Sequence, residues 1–192
     1  MKSQKNINQS FEDHRLGRTA SSVSENELID VLLTGQVVTI PTETVEGYAV
    51  ALSSEQGIKD LMKLKDRGFN SGKVFTLVPE SKEAIEKYVL VPDRAKPFID
   101  QYLPGELTII LPKNPAFHHF YYDHYNTIGI RIPDHPLFPK LLQENGALIL
   151  TSANPRGGTP KSFTGHLPST ILDFTDPENP QIIRQGNLVI NL

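Results

Sequence analysis

Short β-branched or aliphatic runs recur along this chain, each ended within a few residues by proline, glycine or a knot of polar side chains. Runs of four to six such residues make strands, and the stretches between them carry helical periodicity, so the chain is predicted to be α/β. Val37-Val38-Thr39-Ile40 stops at Pro41, because proline cannot donate to a ladder. The polar run Thr42-Glu43-Thr44-Val45-Glu46-Gly47-Tyr48-Ala49 then reads as a turn just beyond a strand end, where open α/β sheets bind ligands. Leu107-Thr108-Ile109-Ile110-Leu111 follows the turn pair Pro104-Gly105, and residues 127–132 alternate as a strand. Ala147-Leu148-Ile149-Leu150 empties into Thr151-Ser152-Ala153-Asn154-Pro155-Arg156-Gly157-Gly158, a stretch whose hydroxyls and backbone N–H groups can cradle phosphate. Further strands are expected over 74–78, 181–184 and 188–190.

Between them, Ser24 and Glu27 make a capping box ahead of Leu28, Ile29, Val31, Leu32 and Leu33, with Gly35 as the stop. Ile58, Leu61 and Met62 mark a helix over 55–64. Ser81 is the expected N-cap of a helix reaching Tyr88 with Ala84, Ile85 and Tyr88 inward. Ala95, Phe98, Ile99, Tyr102 and Leu103 mark another, and residues 137–143 a last one capped by Gly146. Several links have hairpin length, so the sheet is mixed.

At 192 residues the chain suits one core rather than two. Residues 1–20 are polar and without period, and are expected to form a flexible tail before a single domain over 21–192. That tail lacks the apolar stretch of a signal peptide, and no run approaches the roughly 20 apolar residues of a membrane span. With cysteine absent, disulfides and thiolate chemistry are excluded. A cytoplasmic protein without membrane contact is the expectation.

The net charge of −3 gives no chain-wide attraction to nucleic acid, but the charge is uneven. Lys59, Lys63, Lys65, Arg67 and Lys73 stand against Asp60 and Asp66, a local +3. Cations after the helix over 55–64 suit the negative end of its dipole, so a solvated basic turn explains them. A small anion held in a pocket explains them equally. Arg131 sits in an apolar strand pattern and needs a partner or a ligand. His118-His119-Phe120-Tyr121-Tyr122-Asp123-His124-Tyr125 invites a metal reading, but it has no helical pair of histidines with a glutamate. An aromatic surface loop or partner patch is expected there, and no metal-ligating residue is assigned.

Taken in order, these pieces resemble the motifs of the YrdC/TsaC-type threonylcarbamoyl-AMP synthase family. Pro41-Thr42-Glu43-Thr44-Val45-Glu46-Gly47-Tyr48 resembles the family's PT-[DE]-TVYGL stretch, and Lys65-Asp66-Arg67 its KxR. Leu103-Pro104-Gly105-Glu106-Leu107-Thr108 is similar to LPGPxT, and Ile128 to Pro136 to xAVRxPxHP. Thr151-Ser152-Ala153-Asn154 resembles [ST]SAN, while Ser169 to Asp173 and Ile183-Arg184-Gln185-Gly186 resemble STVxD and LRxG. The likeness runs from about Val37 to Gly186.

The resemblance implies a twisted mixed sheet around a concave cavity. It also implies a nucleotidyltransferase that joins L-threonine, bicarbonate and ATP into threonylcarbamoyl-AMP, with Mg²⁺ accompanying the ATP. The product serves N6-threonylcarbamoyladenosine modification at tRNA position 37, which makes tRNA or the proteins of the transfer step further partners. Carried over by motif, Lys65 and Arg67 are the catalytic cations. Arg67, Asn70, Thr127, Ser152, Asn154 and Arg184 would handle ATP, and Thr42, Arg131, Thr151 and Ser169 threonine.

Glu46 replaces the family's tyrosine, Tyr48 its leucine and Glu106 its second proline, and Thr76 occupies a histidine position. A carboxylate at the pocket mouth would repel ATP unless it points away or helps hold a metal. Phe75-Thr76-Leu77, Thr127-Ile128-Gly129 and the short ending are YciO-like features. The alternatives are therefore a divergent YrdC/YciO-like paralogue that binds nucleotide or RNA without synthase activity, and a protein-interaction module whose motifs are only turns.

Overall fold

Leu107, Ile109 and Leu111 are fully buried on one side of their strand, while Thr108 and Ile110 between them face a cavity on the other. This period of two repeats on neighbouring strands and decides where the protein keeps its core and where it stays open. The computed structural model describes residues 24–69, 71–154 and 166–192. The expected tail over residues 1–20 and Asn70 therefore lie outside the described residues, as do Pro155 to Gly158.

Among those residues the strands are β1 (Val38–Ile40), β2 (Gly47–Ala51), β3 (Thr76–Val78), β4 (Leu107–Pro112), β5 (Thr127–Ile130), β6 (Leu148–Ser152), β7 (Thr170–Asp173) and β8 (Gln181–Arg184). They form one open sheet in the order β1-β2-β6-β3-β5-β4-β7-β8. The β3–β5 and β4–β7 pairs are parallel and the others antiparallel, which is the mixed α/β arrangement expected.

One face carries Val50, Ile149, Leu77, Ile128, Ile130, Ile109 and Leu172. It is covered by Ile58 and Leu61 of α2 (Glu55–Leu64), Ile85 and Tyr88 of α3 (Ile85–Tyr88) and Ile99 of α4 (Lys96–Tyr102). Among the described residues, helices cover the opposite face over only half its width. There α1 (Glu25–Leu33) and α5 (Leu137–Asn145) bury Leu28, Leu32, Phe138 and Leu141 against Val38, Ile40, Ala49, Leu148, Leu150 and Val78. Each such side chain taken from water contributes about 1.5–3 kcal/mol, and this fastens the helices to one end of the sheet. Helix cover gives out at β3, where Val78 lies under it and Thr76 already lines the cavity.

Local signals behave as their chemistry requires. The Ser24 backbone N–H donates to Glu27 Oε2 at 2.9 Å and the Glu27 N–H to Ser24 Oγ at 3.3 Å, completing the capping box of α1. Gly146 caps α5 at φ +71°.

Four expectations need correction. Residues 47–49, read as the end of a polar turn, open β2, because Gly47 and Tyr48 pair directly with Ser152 and Thr151. The helix expected from Ser81 begins only at Ile85 with Ala84 as an N-cap that lacks a side-chain bond, so Ser81 caps nothing. Residues 188–190 lie outside the sheet. The segment 118–125 is a surface loop only in part: His118, Asp123 and His124 are exposed, but Tyr121 and Tyr122 are completely buried in the large core.

Candidate active site

The last turn of α2 sets the direction of two cations. The Asp66 N–H donates to Lys63 O at 3.0 Å and the Arg67 N–H to Met62 O at 2.9 Å, while Asp66 sits at φ +44°. This is a Schellman ending with aspartate in the left-handed position, one of the few side chains that tolerates it. Asp66→Asn is expected to keep the parent stability in urea unfolding, and Asp66→Val to lower it by about 1–2 kcal/mol.

Reversing the chain there turns Lys65 inward. Only 3% exposed, Lys65 donates through Nζ to Ser152 O at 2.8 Å, Asn154 O at 2.5 Å and Asn154 Oδ1 at 3.3 Å. An ammonium has three protons, and these acceptors use all of them. Lys65 therefore ties the end of α2 to the loop leaving β6. Burial, then the neighbouring Arg67 charge, lowers its pKa to about 8. Ser152 Oγ lies 2.6 Å from Asn154 Oδ1, and the Ala153 N–H donates to Glu46 O at 2.7 Å, so the loop is held from both sides.

A second knot forms where β5 ends. Arg131 is 6% exposed and donates through Nη2 to Glu43 Oε1 at 2.8 Å and to Thr44 Oγ1 at 2.7 Å, with a longer Nε contact to Gly105 O at 3.4 Å. Its Nη1 pair makes no hydrogen bond among the described residues, and Arg131 lines the cavity. The Thr42 hydroxyl, expected on threonine, is committed to its own turn: it accepts from the N–H groups of Thr44 and Val45 at 3.2 Å and lies 2.7 Å from Val45 O as donor.

Arg184 donates to Ser169 O through Nε at 2.9 Å and Nη2 at 2.7 Å, and Nη2 also reaches Ser169 Oγ at 3.1 Å. Ser169 Oγ is 2.8 Å from Thr108 Oγ1. Burial and the charge of Arg131 lower the Arg184 pKa. Two guanidiniums that disfavour each other across shared space mark a place for an anion. The arginine expected near ATP and the serine and arginine expected near threonine therefore border one region.

These knots surround a cavity of about 840 Å³. Its floor is the uncovered half of the sheet: Thr76, Thr108, Ile110, Thr127, Gly129, Ile171 and Asp173. A Cβ on Gly129 would meet Thr108 Cγ2 at 3.4 Å, so this strand contributes bare backbone to a flat floor. Around it stand Lys65, Arg67, Lys73, Arg131 and Arg184, against Asp66 and Asp173 as the carboxylates of the lining.

Of the residues expected at the site, Thr42, Lys65, Arg67, Thr127, Arg131, Thr151, Ser152, Asn154, Ser169 and Arg184 all border this cavity. Asn70 falls outside the described residues. Glu46 is 6% exposed and absent from the lining, while Val45 and Gly47 on either side of it are present. The carboxylate that could have repelled ATP thus does not border the pocket. Sequence reasoning passed over Thr108, Glu43 and Asp173. The alternation Leu107-Thr108-Ile109 was the available signal for the first of these.

Among the described residues, no group of three or more His, Cys, Asp or Glu could hold a metal ion, and no helix is long and apolar enough to cross a membrane. Mg²⁺ favours one or two carboxylates plus substrate phosphates, a demand that Asp66 and Asp173 are the lining residues able to meet.

A profile of the Sua5/YciO/YrdC family, described as "Telomere recombination", matches residues 30–164, well over half of the chain. A Methanocaldococcus jannaschii protein is 35% identical over 145 residues, covering 76% of this chain and 67% of its own, and carries the name threonylcarbamoyl-AMP synthase provisionally. The threonylcarbamoyl-AMP synthase of Vibrio campbellii is 28% identical over 182 residues, 83% of this chain and 97% of that one. Among solved structures, P. abyssi Sua5 complexed with L-threonine superposes with a TM-score of 0.73 at 23% identity and covers 85% of this chain. The chain spans about half of that protein's length, 54%. E. coli YciO gives 0.73 at 21% identity, covering 84% of this chain and 88% of that one. On the family profile and the 35% identity to the Methanocaldococcus jannaschii protein, the chain belongs to the Sua5/YciO/YrdC family.

Proposed function

We propose that this protein is a threonylcarbamoyl-AMP synthase, joining L-threonine, bicarbonate and ATP with release of pyrophosphate. The observation that carries this is the cavity, whose five cations against two carboxylates border an uncovered sheet. At about 840 Å³ it lies in the upper part of the range for small-molecule sites, which suits a nucleotide together with an amino acid. Curated relatives bear the name of this activity.

Condensation of the threonine amine with bicarbonate gives a carbamate and water. A carbamate oxygen then attacks the α-phosphorus, forming the P–O bond of the acyl adenylate as the bond to pyrophosphate breaks. No protein nucleophile is needed, so positioning and charge supply the acceleration. Arg67 and Lys73 would face the triphosphate, where negative charge grows on the leaving group. Arg131 would take the threonine carboxylate on its free Nη1 pair. Lys65 and Asn154 shape the loop beneath the nucleotide. Mg²⁺ would arrive on the phosphate oxygens and offset part of their charge. The product would then pass to the tRNA-modifying step, with tRNA or its transfer proteins as partners.

The test is incubation with ATP, Mg²⁺, bicarbonate and threonine, assaying threonylcarbamoyl-AMP and pyrophosphate. Threonine-dependent formation of both is expected. ATP binding without threonine-dependent turnover would instead favour the nucleotide-binding paralogue. Arg67→Ala is expected to weaken ATP binding by at least about 1.5 kcal/mol, the low end for a charge-assisted hydrogen bond, in a calorimetric titration.

A further inference from the structure

We infer that Phe75 and Tyr121 are positioning residues for Arg67, fixing from the covered side of the sheet the cation that meets the nucleotide. This rests on the reading of the cavity as an ATP site. Arg67 follows a helix end and opens a loop through Gly68 and Gly72, neither of which has atoms near the position of a side chain. A long side chain on such a loop loses rotamer freedom when it engages a phosphate, and a pre-formed seat reduces that loss.

The seat is the Phe75 ring, with the Arg67 guanidinium carbon 4.7 Å from its centroid. Stacking leaves the in-plane N–H groups of a guanidinium directed outward, as a phosphate requires. Phe75 is itself held at three points. Its ring stacks on Tyr121 at 5.3 Å and 19°, its N–H donates to the Tyr121 hydroxyl at 3.1 Å, and its C=O accepts from the Tyr122 hydroxyl at 3.1 Å. All three residues are fully buried. Burial pushes both phenols well above the usual tyrosine range, so they remain protonated through ordinary assay pH. Two residues after Arg67, Phe69 packs 6.1 Å from Tyr121 and 4.1 Å from the His124 ring. The aromatic segment therefore holds the chain after Arg67 at two points, Phe69 and Phe75.

The test titrates MgATP and measures the threonine KM for the parent, Arg67→Ala, Phe75→Leu, Tyr121→Leu, Tyr121→Phe, Phe69→Leu and the double variant Arg67→Ala/Phe75→Leu. Phe75→Leu and Tyr121→Leu should weaken MgATP binding about tenfold. They should leave the threonine KM within about twofold, and the double variant should bind MgATP no more weakly than Arg67→Ala. Tyr121→Phe keeps the ring and should stay within about twofold of the parent. Should Phe75→Leu fail to fold, Phe69→Leu against Tyr121→Phe decides, with weakened MgATP binding expected only in the first. Independent, additive losses in the double variant, or equal losses for ATP and threonine, overturn the positioning role. A parent protein that binds no MgATP sinks the ATP reading and this inference together, whereas parent binding untouched by the aromatic variants sinks this inference alone.

Discussion

Lys65→Met is expected to abolish measurable synthesis, with a loss of at least about 100-fold in rate, because it removes the donor that three acceptors share. Methionine fills the volume but withdraws the ammonium from Ser152 O, Asn154 O and Asn154 Oδ1, leaving the loop held only by its own bonds, such as Ser152 Oγ to Asn154 Oδ1. A buried carbonyl deprived of its donor costs about 1–3 kcal/mol, and the loop can escape that only by moving. Since Ser152 and Asn154 border the cavity, displacing their loop deforms one wall of the space in which a nucleotide would lie. A thermal melt separates this from global unfolding: the midpoint should fall by a few degrees while synthesis disappears. Unaltered synthesis would mean that Lys65 fastens nothing the reaction uses.

Lys65 also gives the protein a pH signature. Its pKa is lowered from 10.5 to about 8. Between those values the unfolded chain holds a proton that the folded chain has released, so this group's contribution to stability improves as pH rises through that window. Below about 8 the buried ammonium is a standing cost. ATP binding should run the other way. A triphosphate nearby favours the charged form, so binding above pH 8 takes up a proton and weakens by up to about tenfold per pH unit. Lys65→Met should bind weakly and without that slope in titrations at pH 7, 8 and 9.

Arg131→Ala has the other large expected effect. It should raise the threonine KM at least about 100-fold, in line with the 2–5 kcal/mol lost when one partner of a buried charge pair is truncated, and leave ATP affinity nearly intact. The variant also strands the Glu43 carboxylate, whose Oε2 is already buried without a partner, so reduced thermal stability should accompany the kinetic loss. Arg131→Lys should not restore activity. A point-like ammonium cannot hold Glu43 and Thr44 and also present two parallel N–H groups to a substrate carboxylate. A threonine KM unmoved by either change would place the amino acid elsewhere in the cavity.

Much of this site could be read before any coordinates. Strand ends followed by polar clusters located Thr151, Ser152 and Asn154, and the solitary charge in an apolar alternation located Arg131. What the one-dimensional pattern hides is how each polar group is already engaged. Thr42 and Ser169 look alike as hydroxyls near a pocket, yet Thr42 folds its bonds into its own turn while Ser169 is clamped by an arginine from another strand. That Lys65, read as a cation of the pocket, also fastens a loop cannot be seen in the local pattern, because its acceptors lie 87 and 89 residues along the chain. The aromatic segment over 118–125 was misjudged for the same reason: its contacts with Phe75 span 46 and 47 residues, and local composition carries no trace of them. Strand β2 was missed because a leading glycine and a tyrosine hide a short buried ladder, which only its pairing with β6 reveals.

Among the described residues the sheet ends at β8, paired to β7 alone and largely exposed, with the Arg184 guanidinium partly covered where it meets Ser169. Edge strands separate from their neighbours at lower free energy than central ones. Arg184 is the last residue of this strand and Ser169 stands at the start of the next one in, so a frayed edge dissolves their contact and one border of the cavity in a single event. Ligand affinity and edge closure thus share one equilibrium, and an occupant that bridges Arg131 and Arg184 would act as a rivet holding the sheet's margin shut.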